Sequence, residues 1–246
     1  MRTRFTASNV NDGPRLARGK GAHACADGSG RYVVGMDLSD HRKEYATHGL
    51  DRHELLDCPL AQFKSWFQQA KDAGVNEPNA MVVSTVDASG APTSRTLLLK
   101  AADERGFTFF TNYMSRKGAH LGRDPRVALL FPWYGLERQI HISGSVEKTS
   151  EEESVAYFAR RPYGSQLGAL ASDQSQTIPD RQHLEARLAE LKAKYPEGQV
   201  PKPKNWGGYR LIPDHFEFWQ GRLNRLHDRF LYLKKDGAWQ ISRLAP

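Results

Sequence analysis

Cysteine is scarce in this chain. Cys25 and Cys58 are the only two, and neither sits in a paired or metal-binding spacing. That sets aside a disulfide framework or a cysteine-built metal centre, and it leads us to expect a reducing, cytoplasmic setting. No apolar run is long enough to cross a bilayer as a helix. No glycine-rich strand-to-helix turn of the dinucleotide-binding kind is present. A long basic run and a nucleic-acid-binding motif are missing too, although the formal charge is +7. The cations are interspersed with acids, so the surplus points to small anionic ligands rather than nucleic acid.

With 39% apolar residues in 246, the chain has material for one large or two small domains. Met1 to about Val34 is rich in Gly, Ala, Arg, Asn and Asp without periodicity, and is expected to be disordered. Its arginine excess suits a transit peptide, but Asp12 and Asp27 argue against one. Asp57 to Gly74 is predicted to be a helix, with Asp57 as cap, Pro59 in its first turn and Gly74 at its end. Leu60, Phe63, Phe67 and Ala70 fall at helical spacing and read as core. Strands are expected over Ala80 to Val86, Pro92 to Lys100, Phe107 to Thr111, Arg126 to Trp133, Leu136 to Val146, Gly208 to Gln220, Arg229 to Leu233 and Ala238 to Arg243. Short strands joined by tight turns make the chain mainly β, an antiparallel barrel or sandwich. Two helical insertions break the meander. One follows the Ser150/Glu153 capping box to about Arg160, before Pro162. The other runs from Asp180 to Tyr195, with Leu184, Leu188 and Leu191 as a stripe for core or partner contact.

Several clusters carry possible chemistry. Ser115 can cap a helix toward Gly122, which offers free N–H groups to an anion beside Arg116 and Lys117; a surface turn with two solvated cations is the alternative. Arg95 and Lys100 have opposite strand parity, so they serve one ligand only along its length or across a bulge. Tyr157 and Arg161 are four apart, and Ser165 can cap a short helix over Gln166 to Ala171. Together with Lys100 they suit a second phosphate. Gln139 offers an amide that both donates and accepts. His141, on the same parity, reads as a packed or edge histidine, and no metal site is expected. In the run from Phe216 to Arg229, Arg225, His227 and Arg229 share parity, and Trp219 can cover a ring. The alternative there is an exposed hairpin in which Asp228 neutralises an arginine. His41-Arg42-Lys43-Glu44-Tyr45 reads as a short helix or arm.

Glu217-Phe218-Trp219-Gln220-Gly221, then Arg225-Leu226-His227-Asp228-Arg229, and the terminal Arg243-Leu244-Ala245-Pro246 resemble the C-terminal signature of the pyridoxamine (pyridoxine) 5'-phosphate oxidase family. The resemblance runs from about Arg42 to Pro246, with several blocks in the right order. It begins just after Met36, which favours Met36 as the true start. It implies a leader over 1–35 and one oxidase domain over 36–246, an antiparallel split β-barrel with FMN at the interface of a homodimer. The implied reaction oxidises pyridoxine or pyridoxamine 5'-phosphate to pyridoxal 5'-phosphate, with oxygen as acceptor. By the same resemblance, Arg95, Thr96, Leu97, Leu98, Phe110, Thr111, Ser115, Arg116, Lys117, Gln139, Gln174, Ser175, Trp219 and Arg229 bind FMN. Arg42, Tyr45, Lys100, Tyr157, Arg161, Ser165, Arg225, Leu226 and His227 bind substrate, with Arg225 and His227 at the reacting centre. Leu223 departs from the small or polar residue expected in that loop. Two rivals stand beside this reading: another split-barrel flavin reductase or oxidase, and a non-catalytic binder of pyridoxal phosphate.

Overall fold

The computed structural model describes residues 38–40, 44–45 and 49–246. The expected leader over 1–35, the His41-Arg42-Lys43 part of the arm, and Arg42 as a substrate ligand lie outside the described residues. Glu44–Pro246 form one body.

Pro59 opens the first helix, α1 (Pro59–Asp72), where its fixed φ favours it. The cap is Cys58, which makes no side-chain cap bond. The expected cap, Asp57, instead pairs with Arg52 at 2.6 Å. Among the described residues nine strands form one antiparallel sheet: β1 (Ala80–Val86), β2 (Pro92–Leu98), β3 (Ala101–Asp103), β4 (Gly106–Asn112), β5 (Arg126–Trp133), β6 (Arg138–Lys148), β7 (Trp206–Gln220), β8 (Asp228–Lys235) and β9 (Ala238–Leu244). Their period-two pattern sends Val127, Leu129, Phe131 and Trp133 of β5 inward. Phe63 of α1 meets Phe107 and Phe131 with ring centroids 5.0 and 5.1 Å apart, and Trp66 stands edge-on to Phe218 at 5.3 Å. The opposite faces of β5, β6 and β7 stay half-buried, at Leu130, Gln139, His141 and Trp219 among others.

The strand order is β2-β1-β5-β6-β7-β4-β3, with β8 and β9 added beside β7. β2 and β3 are at opposite ends of that order yet consecutive in the chain. Leu99 N–H donates to the Asn79 carbonyl and Lys100 N–H to the Thr108 carbonyl, both at 2.8 Å. The backbone passes from the β1 side to the β4 side within two residues, and the sheet curls into a split barrel. This ends β2 at Leu98 instead of Lys100, which removes the parity conflict between Arg95 and Lys100.

Besides β6 on one edge, β7 serves two partners on the other. Trp206 to Leu211 pair with β4, and His215 to Gln220 with β8. β6 runs along both halves and shifts register between Ser143 and Gly144. A Cβ at Gly144 would lie 2.1 Å from the Ile212 carbonyl oxygen, so glycine is what permits the approach.

The helices α2 (Arg116–Arg123), α3 (Glu151–Ala159), α4 (Tyr163–Ala171) and α5 (Arg181–Lys194) interrupt the strands. The Ser150/Glu153 capping box is present on α3. α4 starts earlier than expected: Pro162 takes the cap position, and Ser165 N–H donates to the Pro162 carbonyl at 2.8 Å. Ser165 therefore lies inside the first turn and caps nothing. On α5, Leu191 is buried while Leu188 is 38% exposed, so the leucine stripe does not seat in the core as a unit.

Replacing Gly144 with alanine should cost about 1–3 kcal/mol by overpacking, seen as a lower urea midpoint at unchanged slope. A wild-type midpoint would mean the bulge has slack.

Candidate functional site

The turn between β4 and α2 is tightly fixed. Asn112 Oδ1 accepts from Met114 N–H at 2.8 Å, and Ser115 Oγ donates to the Asn112 carbonyl at 2.7 Å. Ser115 Oγ also accepts from Gly118 N–H, as a helix cap should. A Cβ at Gly118 would sit 2.2 Å from the Tyr113 carbonyl oxygen, so a side chain there would break the turn. This geometry drives Lys117 inward. Its ammonium, in a residue only 7% exposed, donates to Thr111 Oγ1 (3.1 Å), Ser115 Oγ (3.3 Å) and Gln174 Oε1 (3.0 Å). All three are neutral. Burial first, and then the Arg95 charge, push the Lys117 ammonium down to about 8.

Arg95 has the same predicament. Its guanidinium donates to the Val83 carbonyl, Thr85 Oγ1 and Thr93 Oγ1 at 2.7 to 3.0 Å, again without a carboxylate. Burial, then Arg116, hold it below its ordinary range. Arg116 N–H donates to Ser175 Oγ at 3.2 Å, and Ser175 holds that place with φ at +75°, a conformation that costs a non-glycine residue energy. Arg95, Thr96, Leu97, Arg116, Lys117, Gln174 and Ser175 line one cavity of about 480 Å³. Ser115 therefore caps α2 as expected, with Lys117 buried behind it and Arg116 exposed beside it.

A second cavity, about 570 Å³, shares Leu97 and Gln174 with the first. Leu98, Lys100, Phe110, Thr111, Tyr157, Arg161 and Ser165 line it. Tyr157 stacks on Phe110 at 4.0 Å, and Phe110 on Trp206 at 5.4 Å. Arg161 lies over Trp206 at 4.9 Å, and its buried Nη1 has no hydrogen-bond partner. Burial holds the guanidinium below its ordinary range. Arg161 thus brings a buried cationic donor without a hydrogen-bond partner to the wall of this cavity. The route to this set differs from expectation. α3 ends at Ala159, so Tyr157 and Arg161 share a cavity without sharing a helical face. Trp206 and Arg160 also line it and were missed; the only sequence signal was an aromatic directly after a proline-rich linker.

A third group stands apart. Gln139 pairs with Trp219, and Trp219 with Arg229, in one row across β6, β7 and β8. The three line a cavity of about 310 Å³ with His141 and Glu217. Arg229 is clasped by both Glu217 oxygens at 2.7 and 3.0 Å. The diagonal cross-strand position of Glu217 was the overlooked clue. His141 meets His215 edge-on at 5.4 Å on this face.

Beside it, the loop departs from the extended spacing expected. Leu223–Arg225 form a single 3₁₀ turn, with Asn224 and Arg225 at φ +56° and +60°. Arg225, His227 and Arg229 therefore do not form one strand face. His227 is placed by tilting on Trp219 at 4.6 Å, and Tyr45 meets both rings edge-on, at 5.6 and 5.8 Å. Burial, then Arg225, lower the His227 pKa, against an opposing pull from Asp228. Asp228 does neutralise arginines, but they are Arg222 and Arg243. Arg225 has no carboxylate partner among the described residues. Leu226 is 67% exposed.

The first two sets adjoin; the third does not join them within one chain. Register connects Thr96 through Val82, Leu130 and His141 to Glu217. That is four strand spacings, about 19 Å along the sheet.

A family model described as pyridoxamine 5'-phosphate oxidase matches residues 67–195. Another, described as the pyridoxine 5'-phosphate oxidase C-terminal dimerisation region, matches 206–246. A pyridoxine/pyridoxamine 5'-phosphate oxidase of Crocosphaera subtropica is 54% identical over 214 residues, 86% of this chain and 100% of that protein. One from Paraburkholderia phymatum is 55% identical over 210 residues, 85% of this chain and 99% of the relative. The crystal structure of PhzG from Burkholderia lata, in complex with tetrahydrophenazine-1-carboxylic acid, superposes with a TM-score of 0.75 at 33% identity, covering 79% of this chain and 95% of that one. A pyridoxamine 5'-phosphate oxidase-related, FMN-binding protein from Nostoc punctiforme shares the fold, with a TM-score of 0.62 at 16% identity over 77% of this chain and 98% of that one.

The Lys117 environment sets a pH dependence. Its folded pKa of about 8 lies below the unfolded value, so between the two the unfolded chain binds more protons. Relative to Lys117→Met, ligand-free stability should therefore rise with pH through that window. Stabilisation by added inorganic phosphate should do the opposite, weakening above about pH 8 by up to about tenfold in affinity per pH unit. Thermal midpoints with and without phosphate measure both; identical pH profiles in the two proteins would refute a buried, anion-seeking amine.

Proposed function

This chain belongs to the pyridoxine/pyridoxamine 5'-phosphate oxidase family, and from that premise we propose that it oxidises pyridoxine or pyridoxamine 5'-phosphate to pyridoxal 5'-phosphate. FMN is the cofactor and oxygen the acceptor. The alcohol and oxygen give the aldehyde and hydrogen peroxide; the amine additionally takes up water and releases ammonia. One observation carries this reading: two uncompensated cationic sets line adjoining cavities with shared walls at Leu97 and Gln174. One suits a phosphorylated cofactor and the other a phosphorylated substrate.

Arg95, Ser115, Arg116, Lys117 and Ser175 would hold the FMN phosphate, and Gln174 would lie between the two ligands. Lys100, Tyr157, Arg161 and Ser165 would take the substrate phosphate, satisfying the orphaned Arg161 Nη1. When bound, FMN supplies the two-electron acceptance that no side chain offers. The chain's contribution is to fix two rings against each other and to exclude water. Gln139, Trp219 and Arg229 would contact the flavin, and Arg225 and His227, beneath Tyr45, would hold the substrate ring. Those last residues must come from a second copy, since one chain keeps them across the sheet from the phosphate pockets. A homodimer formed through the C-terminal region supplies them.

A purified preparation should show flavin absorption, and adding pyridoxine 5'-phosphate under air should release aldehyde and peroxide in equal amounts. A colourless protein that takes up no FMN, or bound flavin without aldehyde, contradicts the reading. Arg225→Ala should lower kcat/KM by about 100-fold with the flavin spectrum unchanged. Near-wild-type kinetics would remove Arg225 from the site.

A further inference from the structure

Three separated stretches of chain converge on one carboxylate. Asp228, its side chain 10% exposed, stands between two residues assigned to ligands and touches neither site. Its Oδ2 accepts from Leu50 N–H at 2.9 Å and from Arg222 Nη1 at 3.2 Å. Its Oδ1 accepts from Arg243 Nη1. The arm before α1, the loop before β8 and the last strand are thereby tied at one point. Burial pushes the carboxyl up, but the Leu50 amide and the two guanidinium groups outweigh it and hold its pKa below the ordinary range. The group is anionic at neutral pH.

We propose that Asp228 is a positioning residue for substrate binding, acting through Arg222 on His227. This rests on the placement of His227 at the substrate under the proposed function. Arg222, with its guanidinium held by Asp228, donates its backbone N–H to His227 Nδ1 at 3.1 Å. An accepting Nδ1 puts the proton of the neutral ring on Nε2. His227 thus presents a hydrogen-bond donor on its free edge, and its role is to orient rather than to accept a proton. On the other arm of the clamp, Leu50 is buried and Gly49 lies against the ion pair. A Cβ at Gly49 would fall 1.6 Å from Arg222 Nη1 and 2.9 Å from Asp228 Oδ2. Gly49 and Leu50 thus pack directly on the Asp228–Arg222 pair that backs His227. Asparagine cannot replace the carboxylate: its amide would turn an N–H₂ toward a guanidinium donor.

Asp228→Asn and Gly49→Ala attack the same clamp from opposite sides, the second without altering the acid. Both are tested as the FMN-loaded full chain. Each should raise KM for pyridoxine 5'-phosphate about tenfold or more and lower kcat less, with flavin content unchanged. In protein labelled with ¹⁵N-histidine, wild type should show His227 with an unprotonated Nδ1 and protonated Nε2, and both variants should lose that fixed tautomer. Wild-type KM together with a wild-type His227 signature in either folded variant overturns the proposal. If Asp228→Asn fails to fold, Gly49→Ala decides it. If wild type itself fails to oxidise the vitamer, the proposed reaction fails, while the histidine signature still decides whether Asp228 sets the ring.

Discussion

Buried positive charge without a carboxylate to balance it is the constraint on which the site depends. Removing an ammonium or guanidinium from water costs several kcal/mol even after relaxation. Lys117 accepts that cost and the half-buried Arg95 a smaller part of it, and each also repels a neighbouring cation. Neutral acceptors from strand, turn and loop keep them in place, and an aromatic core built around Phe63, Phe107 and Phe131 offsets the loss. The result is a pair of cations held in place by neutral partners alone.

The barrel's seam explains why a second pocket lies beside the first. At Leu99 and Lys100 the chain leaves one sheet edge and joins the other, so Lys100 emerges next to the strand that carries Arg95 and Leu97. α3, Arg161 and α4 then bring Tyr157, Arg161 and Ser165 against the same opening. Further along the sheet the half-buried face of β6 and β7 carries Gln139 and Trp219, with the Asp228-tied loop at its edge. Residues 206–246 match a dimerisation region, and under the proposed function the surface that pairs two copies would also carry half of each site.

Much of this was legible in the sequence because it is local. β1 and β5 follow the alternation of their own side chains to the residue, and Ser115 announces the helix start that it caps. What was not legible depends on distant partners or on unusual backbone. Nothing in Asn224-Arg225 advertises two successive left-handed residues, so parity misplaced Arg225 relative to His227. Glu217 claims Arg229 only because strand register sets them diagonally. Ser165 looked like a cap, but Pro162, with its fixed φ, started the helix first. Gln174 reaches Lys117 across 57 residues of chain, a closure that no periodicity encodes. The family resemblance brought those residues onto one list and implied FMN at a dimer interface, but it did not say which of them lie together within one chain.

That division is tested most directly by mixing subunits. Arg161→Ala and Arg225→Ala homodimers should each be nearly inactive. If each site takes its phosphate pocket from one copy and its ring-holding loop from the other, a hybrid of the two variants contains one intact site. Random reassortment should then restore about a quarter of wild-type turnover. Flavin-loaded hybrids with no recovery above the separate homodimers would place all of these residues in one chain's site and contradict the account.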